Sequence, residues 1–105
     1  MAPVPPLGRE RAIQLVAQGK LPIWFGSPHP TVAIVEQDGV FRIRRLVVDE
    51  AEARASSEAA RAAGRSWMPE QYYDLGKPTG PIHAEARSLD ELIEQMRAMD
   101  WPADW

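Results

Sequence analysis

The sequence predicts an α+β domain with a mainly antiparallel sheet, and three observations carry that reading. Two β-rich runs flank Asp38-Gly39 within TVAIVEQDGVFRIRRLVV, which announces a hairpin over 31–48. Pro81 to Arg87 alternates Ile82, Ala84 and Ala86 with His83, Glu85 and Arg87, the pattern of a half-buried strand with the apolar set inward. Ser88 and Glu91 form a capping box at the start of a run in which Leu89, Leu92, Ile93, Met96 and Met99 recur at helical spacing, so a helix is expected over 88–99.

Taken in order, residues 1–7 hold Pro3, Pro5 and Pro6 and read as an extended or disordered segment that packs little, ahead of a single domain over 8–105. Gly8 to Gln18 is a short helix with Ile13, Val16 and Ala17 on one side, widened by Leu15 and Ala12, and Gly19 stands where a helix end wants positive φ. Residues 22–25 are a β-type run broken by Pro22, which fits an edge strand, with Trp24 expected in the core beside Phe25. Gly26 to Pro30 is the loop into the hairpin.

A two-residue Asp-Gly turn sets the hairpin register, pairing Gln37 with Val40 and so on to Val32 with Arg45. Val32, Ile34, Phe41 and Ile43 then share the core face, while Ala33, Val35, Val40, Arg42 and Arg44 share the other. Strict alternation would aim Arg45 into the core, so a bulge or strand end is expected near Arg44-Arg45. On the outer face Arg42 and Arg44 have few carboxylates opposite them; their stems cover Val35 and Ala33, and their guanidinium groups offer an anion or a partner a contact.

Asp49 caps a helix over 50–63 that is closed by Gly64, with alanines 51, 55, 59, 62 and 63 as its core side. Such a thin face gains little from burial, so this helix is expected to be held more weakly than the last one. The segment 66–80, SWMPEQYYDLGKPTG, is long for a structureless connection; it is read either as a binding surface or as a segment that folds over the sheet and closes the core, and residues 71–75 are the candidate for a strand hidden within it. The helices about 8–18, 50–63 and 88–99 are expected to pack on one face of the sheet. Trp101 lies close enough to Met99 to fold back on the core.

Composition narrows the function classes. At 105 residues, 45% hydrophobic and 26% charged, the chain suits one folded domain rather than wholesale disorder. Cysteine is absent, which removes disulfides, thiol catalysis and thiolate metal sites. No apolar run reaches the length of a membrane span, no signal-peptide pattern opens the chain, and a cytoplasmic protein without membrane association is expected. Ten arginines to two lysines, many alanines and no asparagine give a bacterial-like composition. The net charge of −3 divides unevenly: residues 1–65 sum to +2 and residues 66–105 to −5. That acidic pole disfavours nucleic acid and suits a basic protein partner.

No motif for chemistry withstands inspection. Gly76-Lys77 lacks the upstream glycine and the following Ser or Thr of a phosphate loop; Gln71 and Pro78 occupy those positions, and proline has no amide N–H to offer phosphate. His29 and His83 lie far apart without metal-ligand spacing, although His83 and Glu85 share a strand face. Ser27 near His29 lacks the elbow of a serine nucleophile. No cofactor is expected.

The leading expectation is therefore a protein-binding or regulatory domain, acting through the aromatic stretch with Trp67, Tyr72 and Tyr73, the Arg42 and Arg44 face, or the acidic last helix. A small-molecule-binding or enzymatic domain ranks second, with a pocket between the sheet and residues 66–80 and His83, Tyr72 or Arg44 as polar contacts. Nucleic-acid binding through Arg42, Arg44 and Arg45 ranks third. Exposed β edges near Trp24 leave room for a homodimer.

Overall fold

The computed structural model describes residues 5–105. The element order is α1 (Arg9–Ala17), β1 (Ile23–Phe25), β2 (Val32–Gln37), β3 (Val40–Arg45), α2 (Glu50–Ala62), α3 (Pro69–Tyr73), β4 (Ile82–Ala86) and α4 (Leu89–Ala98). The strands form one antiparallel meander in the order β1-β2-β3-β4, so the chain is of the α+β class.

Asp38 and Gly39 both take positive φ, 54° and 81°, as a type I′ turn demands. From that turn the register runs from Gln37↔Val40 to Val32↔Arg45, as the sequence predicts. Val32, Ile34 and Ile43 are fully buried on the core face, with Phe41 packed at its margin. Against them lie Ala12, Ile13 and Val16 of α1 and Leu92 and Met96 of α4. Ser88 Oγ accepts the Glu91 amide N–H at 3.1 Å, which caps α4 as predicted, and the Glu91 carboxylate turns back to accept the amide N–H of Arg87, the residue before the cap, at 3.1 Å. The chain's end completes the core: Trp101 stacks on Phe25 at 5.5 Å, and Trp105 is buried edge-on to both.

Several expectations need correction. Residues 71–75 are not a strand, because α3 occupies 69–73. Pro69 stands at its first position and Gln71 Oε1 accepts the Met68 amide N–H at 2.8 Å, a helix start that outweighs the β preference of two tyrosines. The strand end and irregularity expected near Arg44-Arg45 are both present: β3 ends at Arg45, and while β2 pairs with β3 without a break, β3 and β4 shift register between Ile43↔Ala84 and Arg44↔Ile82. His83 is the extra residue. Ile82 is consequently turned out, 46% exposed, and His83 lies against Trp105 at 5.0 Å, which reverses the expected alternation at these two positions, while Ala84 and Ala86 pack inward and Glu85 faces out as expected.

Not all helices share the core face, since α2 makes no extended contact with the sheet, α1 or α4. Its buried alanines are Ala53 and Ala60, whereas Ala51, Ala55, Ala59, Ala62 and Ala63 are exposed. Trp24 is not in the core either. Of the expected loose segment 1–7, residues 1–4 lie outside the described residues, while Leu7 packs against the core and donates its amide N–H to the Trp105 carbonyl.

Candidate functional site

The sheet face opposite the core is where sequence and structure part most. Ala33 is fully buried and Val35 nearly so, although neither belongs to the core side. Residues 76–81 cover that face as a strap laid beside the end of β3. Val47 and Lys77 exchange both backbone hydrogen bonds at 2.8 and 3.0 Å, and the Gly80 amide N–H donates to the Arg45 carbonyl at 2.9 Å. Gly80 has to be glycine, because a Cβ there would stand 2.8 Å from that carbonyl oxygen.

Side chains of the sheet hold the strap down. Arg44 Nε donates to the Gly80 carbonyl at 2.9 Å, a terminal nitrogen donates to the Thr79 carbonyl at 3.2 Å, and the other donates to Gln37 Oε1 at 3.0 Å. Gln37 Nε2 donates in turn to the Pro78 carbonyl at 3.0 Å. Arg42 Nε bonds Glu85 Oε2 across the ladder at 2.7 Å, and this hydrogen bond raises the guanidinium pKa above its ordinary value. Both arginines are thus engaged within the molecule. Arg42 does have a carboxylate opposite it, contrary to expectation.

Trp67, Tyr72 and Tyr73 do come together, with Tyr72 edge-on to Trp67 at 6.3 Å and to Tyr73 at 5.3 Å. Tyr72 Oη donates to Glu50 Oε1 at 2.7 Å, which raises its pKa, and partial burial adds to the effect. Trp67 and Tyr72 line a hollow together with Ala53 and Ser57 of α2, and the Tyr72–Glu50 hydrogen bond ties the two sides of it together. The Trp67 indole N–H is buried without an acceptor among the described residues. Tyr73 instead stacks on His29 at 4.3 Å, with planes 9° apart. His83 is remote from all of these, on the core side near Trp105 and Arg45. Burial, aided by the Arg45 charge, lowers its pKa below the usual histidine value.

The residue that sequence reasoning missed is Trp24. It pairs with Ala33 in the ladder and is 47% exposed, a large aromatic on the strap side of the sheet. Hollows open on both sides of it. One, about 410 Å³, is lined by Trp24, Pro30, Leu46, Tyr73, Asp74 and Gly76. The other, about 350 Å³, is lined by Trp24, Leu21, Pro22, Val35, Glu36 and Pro78. The signal was in the sequence: if Ile23 and Phe25 point inward, alternation sends Trp24 outward.

Among the described residues no group of three or more His, Asp and Glu side chains converges as a metal site would require. No helix among them is long and apolar enough to cross a membrane. No family model, curated protein or solved structure matches the chain.

Proposed function

We propose that this chain is a protein-binding domain whose contact surface is the Trp24 face, formed by β1, the end of β2 and the strap. One observation carries the reading: a tryptophan 47% exposed between two largely apolar hollows on a sheet face that is otherwise covered. Tryptophan and tyrosine dominate the energetics of protein contacts because they bury large area for little rotamer entropy. Two sequence-predicted candidates change role under this reading. Tyr73 becomes a wall of the surface, and Arg44 becomes the anchor that holds its strap. The remaining four, Arg42, Trp67, Tyr72 and His83, serve the packing described above.

Affinity capture with the wild-type chain and with Trp24→Ala tests the proposal, followed by titration of the captured protein in pure form. Loss of about 2 kcal/mol or more of binding in Trp24→Ala, the usual cost of truncating an interface anchor, is the expected result. Unchanged affinity contradicts it. A second reading, a small-molecule site, draws on the larger hollow, whose volume of about 410 Å³ lies within the range of ligand pockets. It predicts that a compound stabilises the wild-type chain against heat and fails to stabilise Trp24→Ala.

A further inference from the structure

We propose that the occupant of the Trp24 face is a second copy of this chain, its β1 laid antiparallel against β1 of the first about a two-fold axis at Trp24. This rests on the reading of that face as a contact surface and names the partner.

The backbone supplies the first argument. In a hairpin with a two-residue turn, the residues flanking the turn exchange both backbone hydrogen bonds, here Gln37 and Val40. Bonding alternates from there, so Val35 and Ala33 also turn their N–H and C=O groups toward β3, while Ile34 and Val32 turn theirs toward β1. The Leu46 amide N–H, donating to the Thr31 carbonyl at 2.8 Å, continues that sequence. Ile23 and Phe25, opposite Ile34 and Val32, therefore bond β2, and Trp24 between them points its N–H and C=O away from the sheet. β1 is the outer strand of the meander, and neither group of Trp24 has a partner among the described residues. The opposite edge is less open, because the Gln95 side chain of α4 donates to the Glu85 carbonyl of β4 at 2.8 Å.

Self-complementarity supplies the second. The open edge is short, since Pro22 has no N–H and the chain turns at Gly26, where the Thr31 amide N–H closes the loop on the Phe25 carbonyl at 3.0 Å. A long foreign strand finds no ladder there. Two copies related by a two-fold need only this residue, because each Trp24 N–H meets the Trp24 carbonyl of the other copy and both pairs close at once. The two indoles then stand side by side on the outer face, a cross-strand aromatic pair that takes a half-exposed side chain out of water. Charge agrees with this direction of pairing. Lys20 lies at the Ile23 end of the edge, and Asp104 lies at the Phe25 end, its carbonyl accepting the Ser27 amide N–H at 2.7 Å. Both side chains are exposed, and neither has an ion-pair partner among the described residues. Antiparallel pairing brings Lys20 of each copy to the Asp104 end of the other, whereas parallel pairing sets like charges together.

Sedimentation equilibrium of the full chain, run up to millimolar concentration, is expected to show a reversible dimer, weak because the contact is small. In the same series the Trp24 amide should exchange with solvent more slowly as the dimer fills. Trp24→Pro removes an N–H that bonds nothing within the fold, a change an edge strand tolerates, and should weaken dimerisation about tenfold or more because both bonds of the pair are lost. Lys20→Glu and Asp104→Lys should each weaken it about threefold, and the two together should restore it. Both side chains are exposed, and unchanged Trp101 and Trp105 indole resonances will show the fold of each variant intact. A monomer at every concentration, or a dimer that Trp24→Pro and the charge reversals leave unaltered, overturns the inference. A chain that stays monomeric, yet captures a partner that Trp24→Ala loses, defeats only the second copy proposed here; a partner that Trp24→Ala retains defeats the contact surface itself.

Discussion

Arg44 shows how one side chain can decide the character of a surface. Its planar fork spans the Thr79 and Gly80 carbonyls and Gln37, and lysine, with a single ammonium head, cannot reproduce that spread. Arg44→Ala should destabilise the domain by about 1–3 kcal/mol in urea unfolding, with Arg44→Lys recovering less than half, because carbonyls are left without donors and Ala33 loses its cover. His83 ties stability to pH. Its folded pKa is lowered, so the unfolded chain binds the proton more readily. Stability should therefore fall as pH drops from its ordinary value of about 6.5 to the lowered one, and level off below. His83→Gln should remove that component, and thermal unfolding across the window will check it; the effect is small because the ring is largely solvent-exposed. Trp24 and His83 were mislocated at the sequence level for different reasons. Trp24 was legible from alternation with Ile23 and Phe25. His83 was not, because a bulge on β4 depends on its pairing with β3 and leaves no local mark.

Among the elements, the hairpin and α4 were the most legible, since a turn with obligatory positive φ and a capping box are both local chemistry. The helix α3 carried its own start signal in Pro69, Glu70 and Gln71, and tyrosine's β preference obscured it. The placement of α2 could not be read, because its alanines suit any neighbour; that Ala53 and Ala60 are the buried ones depends on contacts distant in sequence. Asp49 Oδ1 accepts the amide N–H groups of Ala51 and Glu52 at 2.9 and 3.3 Å, so Asp49→Ala should cost about 1 kcal/mol. With only Ala53 and Ala60 buried, α2 should open locally before the sheet does. Hydrogen exchange should find its amides less protected than those of α4, and equal protection would contradict the packing described.

At the scale of the molecule, the buried core and the proposed contact surface lie on opposite faces of one sheet. The core side is fastened by Leu92 and Met96, both fully buried, and Leu92→Ala should cost about 2–5 kcal/mol in urea unfolding. Trp24→Ala should cost far less, because that side chain is half exposed, while it removes the proposed contact. Length and charge placement showed the size and the acidic pole, and local patterns (the Asp-Gly turn, the 81–87 alternation and the helix start at Ser88) showed the α+β class. It could not show that residues 76–81 cross the outer face, which is a consequence of long-range pairing with Val47 and Arg45. The most direct test is a hydrogen-exchange footprint of the chain with its captured partner bound. The account predicts added protection in residues 21–25, 35–37 and 73–78, on both sides of Trp24. Protection confined to α4, or to Trp67 and Tyr72 beside α2, would contradict it.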